Sequence, residues 1–212
     1  MAGNWLASVG GLGPEWRLRG ALRRWLYPHV GLAAATFLAG AVAGGGTMAV
    51  TSPQALADAA DAFRGPALYP ESITVWSIFS NNVVALAVVV GGALSFGLTS
   101  AVGLFFNGLL LGTVVSLGLA DGELLRVLAL VLPHGVLELS AFFLVGGVAY
   151  RVTWRLVLYL RGAAERPITR QEAIEAAGLC AGALLAIAVA AWIEAELTVD
   201  IARVFVDVGT GQ

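Results

Sequence analysis

Long apolar runs separated by short polar breaks set the pattern of this chain. The first run covers residues 30–50 and follows a segment carrying Arg17, Arg19, Arg23 and Arg24. A second apolar stretch covers 76–120, 45 residues that would make a helix of about 67 Å, twice the ~30 Å hydrocarbon thickness of a bilayer. It must therefore turn back, and 97–103, with Thr99 and Ser100 between glycines, supplies the corner. Further runs cover 124–150, interrupted by Pro133, and 178–197. Helices are expected throughout, because a backbone in lipid must satisfy its own polar groups and the ten-residue alternation of barrel strands is missing. The pattern predicts an all-α, polytopic transmembrane bundle of about five spans: 30–50, 76–98, 102–120, 124–150 and 178–197. Residues 1–29 form a basic N-terminal segment and 30–212 a single transmembrane domain. Short interfacial helices are expected at 54–63 and within 151–177, where Trp154, Leu156, Val157 and Leu160 mix with arginines. Thr169 and Glu172 make a capping box that starts the helix leading into the fifth span.

Charge orients the bundle. With the N-terminus cytoplasmic, Arg17, Arg19, Arg23, Arg24, Arg151, Arg155, Arg161, Arg166 and Arg170 fall inside, and only Arg64, Arg126 and Arg203 outside. Nine against three satisfies the positive-inside rule and predicts a multi-pass protein of the cell membrane. An Ala41-x-Ala43 pattern offers signal cleavage as a rival, but about thirty residues precede the apolar run, which continues past that site. Composition agrees: 58% of residues are hydrophobic and 12% charged, against about 45–50% and about 25% in soluble domains. That excludes an ordinary soluble enzyme and a disordered chain. A net charge of −2 with no dominant basic patch argues against nucleic acid as a partner. The lone Cys180 excludes an internal disulfide and a multi-cysteine metal site. Gly40 with Gly44, Gly108 with Gly112, and Gly178 with Gly182 are spaced for close helix packing.

Candidate chemistry rests on the few polar residues inside the spans: Asn81 and Asn82, Asn107, and His134 with Glu138. His134 and Glu138 stand four apart and share a helix face. Pro133 and Gly135 beside them predict a break or kink in the fourth span. One reading is structural, with these groups hydrogen-bonding one another across the second, third and fourth spans. The other is functional, since a charge at membrane depth costs about 2.5–3.5 kcal/mol on insertion scales. A zinc protease helix needs two histidines around a glutamate, and neither a nucleophile elbow nor a phosphate loop is present. No metal or other cofactor is expected, and no catalytic residue is assigned.

The run Phe79-Ser80-Asn81-Asn82, then Gly91-Gly92, Asn107-Gly108 with Gly112, and Pro133-His134-Gly135 with Glu138 resembles the stage II sporulation protein M family of integral membrane proteins. The resemblance covers roughly 76–147. It implies a five-span fold and a membrane anchor that works with murein-degrading partners in spore formers, although family members also occur in organisms that make no spores. Two functions are therefore expected to compete. The first is a scaffold in the bilayer with membrane or extracytoplasmic protein partners, or a homo-oligomer. The second is a small transporter or intramembrane hydrolase built around Asn81, Asn82, Asn107, His134 and Glu138.

Overall fold

Five α-helices account for nearly all of residues 24–48 and 74–198, which together with Asp200 are described by the computed structural model. No strand occurs among the described residues. A π-helical turn, Leu26–Val30, leads into α1 (Gly31–Met48). Then follow α2 (Val75–Gly91), α3 (Leu98–Ala120), α4 (Leu124–Leu160) and α5 (Arg170–Glu196). The first of these with its leading turn, α3, α4 and α5 are each long and apolar enough to cross a membrane. The 17 residues of α2 give about 26 Å, at the short limit for a span. The basic segment 1–23 and the expected interfacial helix 54–63 lie outside the described residues.

The corner between α2 and α3 forms earlier than the sequence pattern predicts, at 92–97 rather than 97–103. Gly97 takes φ +86° and its N–H closes the turn on the Gly92 carbonyl at 2.7 Å. A helix ending in lipid leaves its last carbonyls without partners. Here Thr99 Oγ1 donates to the Val88 carbonyl at 3.2 Å and Ser100 Oγ to that of Val89 at 2.6 Å. The hydroxyls expected to form the corner instead cap α2 from the first turn of α3. Gly92 makes this possible, because a Cβ there would sit 1.7 Å from Ser100 Oγ.

A second correction concerns α4. The predicted break at Pro133 and Gly135 is not present, and the helix runs unbroken from Leu124 to Leu160, past the expected end at 150. Proline removes one backbone donor, whereas unwinding would expose several more polar groups to lipid. Residues 151–160, expected as part of a separate interfacial segment, continue this helix. The fifth helix likewise starts at Arg170, eight residues before the apolar run. There Thr169 Oγ1 accepts from the Glu172 N–H at 3.2 Å, and Glu172 Oε2 accepts from the Thr169 N–H at 3.0 Å. That is the expected capping box.

Packing follows the small residues. Two of the three glycine pairs meet each other. A Cβ on Gly40 or Gly44 of α1 would lie 1.9 or 2.1 Å from the carbonyl oxygens of Phe105 or Leu109. One on Gly108 or Gly112 of α3 would lie 2.0 Å from those of Phe37 or Ala41. The contacts advance together along both helices, so α1 and α3 run parallel, backbone against backbone. The third pair, Gly178 and Gly182, has nothing within 4 Å of its added Cβ atoms and packs no helix within the described chain. Gly146 of α4 meets Leu104 and Ala33, bringing the same helix against both α1 and α3. A core of Ala33, Leu86, Val89, Leu104, Ala141, Phe142, Val145, Ala183 and Ile187 draws on all five helices.

These contacts separate the glycines by consequence. Gly108→Ala drives a methyl into backbone and is expected to lower stability by about 1–3 kcal/mol or more, whereas Gly182→Ala is neutral or slightly stabilising. Thermal unfolding in detergent checks both; equal midpoints for the two variants would contradict the packing.

Candidate functional site

Polar side chains gather at the two ends of the bundle and leave an apolar block between them. At one end the described acids Asp121, Glu123, Glu194 and Glu196 outnumber Arg126; at the other lie Arg24, Arg151, Arg155, Arg161, Arg166 and Arg170. The acidic end holds Asn82, His134 and Glu138 of the residues singled out in the sequence.

Asn82, on the second turn of α2, donates through Nδ2 to Glu138 Oε1 of α4 at 2.5 Å. One turn along α4, His134 Nδ1 lies 3.2 Å from Thr198 Oγ1, just past the end of α5. Thr198 Oγ1 gives its own proton to the Ile193 carbonyl at 3.1 Å, so His134 Nδ1 is the donor in the shared contact. Its Nε2 then faces Glu194 Oε2 at 3.9 Å. The polar cluster is therefore Asn82, His134, Glu138, Glu194 and Thr198, contributed by α2, α4 and the end of α5.

The expected membership is corrected in two places. Asn107 of α3 donates to the Gly103 carbonyl of its own helix at 2.8 Å and takes no part. Its position one turn beyond Gly103 lets the amide satisfy itself locally, so it has no need of another helix. Asn81 is exposed on the surface of α2 and makes no hydrogen bond among the described residues. The third helix is thus replaced in the cluster by the fifth. The sequence pattern left Glu194 and Thr198 outside the candidate cluster. Their spacing of four at the end of an apolar run was the available signal.

The arginine end carries a second assembly, a clasp whose arginines served in the sequence only for orientation. Arg24 Nη2 donates to Glu175 Oε1 at 2.6 Å, and Trp25 Nε1 donates to Glu175 Oε2 at 2.6 Å. Arg151 Nη2 donates to Glu172 Oε1 at 2.5 Å, with Arg155 Nε 3.4 Å from the other oxygen. Arg151 also donates to the Arg24 carbonyl and covers the Trp25 ring at 5.1 Å. Both glutamates are buried, in the turns of α5 that precede its apolar run. Burial alone raises a carboxyl pKa, but hydrogen bonds from Thr169 and Arg151 hold Glu172 below the ordinary value. Those from Arg24, Trp25 and Gln171 do the same for Glu175. The entry to α1 is thereby tied to α4 and α5. Arg151 and Arg155 stand four apart, as Glu172 and Glu175 stand three apart. Complementary faces on two helices joined by a short loop were legible in principle.

Between the ends lie Ala141, Phe142, Val145, Val148 and Ala149 of α4 with Ala183, Ile187 and Ala190 of α5, all buried. At the acidic end, the Asn82–Glu138 contact predicts a graded response. Glu138→Gln keeps the acceptor oxygen and is expected to stay close to wild type in thermal stability. Glu138→Leu leaves Asn82 without its partner and is expected to lose about 1–3 kcal/mol. A detergent unfolding midpoint for Leu at 138 equal to wild type would contradict the contact.

Comparison with known proteins places the chain. No solved structure matches it. An uncharacterized protein of Methanocaldococcus jannaschii is 32% identical over 127 residues, which cover 59% of this chain and 71% of that protein. The stage II sporulation protein M family matches residues 33–199, a range that takes in α2 to α5, nearly all of α1 and the whole acidic-end cluster. With five helices among the described residues, four of them long and apolar enough to span a bilayer, this membrane protein belongs to the stage II sporulation protein M family.

Proposed function

We propose that this protein is a multi-pass scaffold of the cell membrane that holds partner proteins along its lateral faces, with its arginine end in the cytoplasm. The observation that carries this reading is Asn81. It lies on the second turn of α2, about 9 Å from the start of the helix, and points away from the bundle. An unpaired amide in hydrocarbon costs several kcal/mol, and interhelical hydrogen bonds through asparagine are a common way for spans to associate. A partner span supplying that bond gives Asn81 a role which the bundle itself does not.

Two further features support a scaffold over a transport pathway. The acidic-end cluster pairs its own members, Asn82 with Glu138 and His134 with Thr198. The buried apolar block separates it from the clasp, so the described side chains form no continuous polar route from one end to the other. The clasp itself anchors α1, α4 and α5 to one another, as a rigid platform requires.

A photo-reactive residue at position 81, in cells of the native host, tests the proposal. Discrete protein adducts are expected at 81 and not at Val42, an exposed apolar position on α1. Glu138→Gln should leave those adducts in place. Adducts to lipid alone at both positions would overturn the scaffold reading.

A further inference from the structure

The far end of α4 presents an unused combination of groups. At 37 residues the helix is about 56 Å long, some 26 Å more than a hydrocarbon core requires. Residues 151–160, about 15 Å of helix, continue past the apolar run, and there Trp154 is 51% and Tyr159 43% exposed. Aromatic rings of this kind prefer the boundary between hydrocarbon and water. Arg161 follows Trp154 by seven residues and lies on the same helix face. The loop after it is drawn back onto α4 by Arg155, whose Nη2 donates to the Arg166 carbonyl at 3.2 Å. That bond places Arg166, and Arg170 at the start of α5, beside the same helix end.

These three arginines differ from those of the clasp. Arg24, Arg151 and Arg155 are engaged with Glu172 and Glu175. The side chains of Arg161, Arg166 and Arg170 make no hydrogen bond or ion pair among the described residues, and Glu165 is the one acid between them. Three uncommitted guanidinium groups around exposed aromatics match the chemistry of phosphate headgroups at a membrane surface. Guanidinium binds phosphate oxygens in pairs, and its apolar stem can lie along the acyl boundary.

We propose that the end of α4 and the 161–170 loop form a binding surface for anionic phospholipid headgroups, with Arg161, Arg166 and Arg170 as the phosphate-binding groups and Trp154 as the boundary anchor. The surface fixes how deeply the long helix sits in the bilayer.

The test is thermal unfolding of the full chain in two kinds of vesicle. One contains phosphatidylcholine alone, the other phosphatidylcholine and phosphatidylglycerol in about equal parts. The unfolding midpoint of the wild type is expected to be several degrees higher with phosphatidylglycerol. The gain should vanish in about 1 M NaCl, where the screening length falls to about 3 Å. The variant R161Q/R166Q/R170Q should match wild type in phosphatidylcholine and show no gain with phosphatidylglycerol. An equal gain in wild type and variant would overturn the proposal, as would a gain that survives high salt. The salt comparison needs only wild-type protein and decides the question if the variant does not fold. Equal protection by soluble heparin in phosphatidylcholine vesicles would assign the surface to a polyanion in solution and would also overturn the lipid assignment.

Discussion

In hydrocarbon an unpaired polar group costs several kcal/mol, and the interior of this protein is arranged around that penalty. The clearest case is the turn between α2 and α3, where the Gly92 N–H reaches the Val89 carbonyl and the Thr99 and Ser100 hydroxyls add bonds to the carbonyls of Val88 and Val89. Elsewhere the answer is local. Thr113, Ser140 and Asn107 each bond to the carbonyl four residues before them, so three polar side chains on apolar helices make no demand on their neighbours. Pro133 is the same constraint seen from the backbone, since keeping the helix loses one bond and breaking it loses more.

With local needs met, the remaining polar groups collect where helices end. Close approach of α1 and α3 through glycine fixes the centre of the bundle, and Gly146 admits α4 to the same contact. The side chains buried between the ends on α4 and α5 are aliphatic or aromatic. The two polar assemblies therefore differ in kind. The clasp pairs full charges and joins the entry of α1 to α4 and α5. The acidic-end cluster is an amide, an imidazole, a hydroxyl and two carboxyls, linked by one contact of 2.5 Å and two of 3.2 and 3.9 Å.

Much of this was legible in the residues, and the failures have physical reasons. Apolar runs of the right length gave five helices, and the Thr169–Glu172 spacing gave the start of α5. Asn82 and Glu138 were correctly placed together because neither has a local partner. Asn107 was misplaced because sequence spacing does not tell a self-satisfied amide from one that reaches across. The break at Pro133 was overestimated because rules for proline in water neglect the cost of exposing backbone to lipid. Glycine spacing showed close packing but not which pairs meet, and the pair on α5 meets nothing in the described chain. The clasp was missed because its arginines were weighed for orientation alone and Glu172 for its helix cap, although their spacing already paired two helix faces.

The central claim is that a closed apolar block separates the two polar ends. Cysteine at position 138, in a Cys180→Ala background, measures it directly when an impermeant thiol reagent is applied to one side of a sealed, uniformly oriented membrane at a time. Labelling from the acidic end alone, with cysteine at position 145 unreactive from either side, is the result this account predicts. Labelling of position 138 from the arginine end would mean that an aqueous route crosses the bundle, and would contradict it.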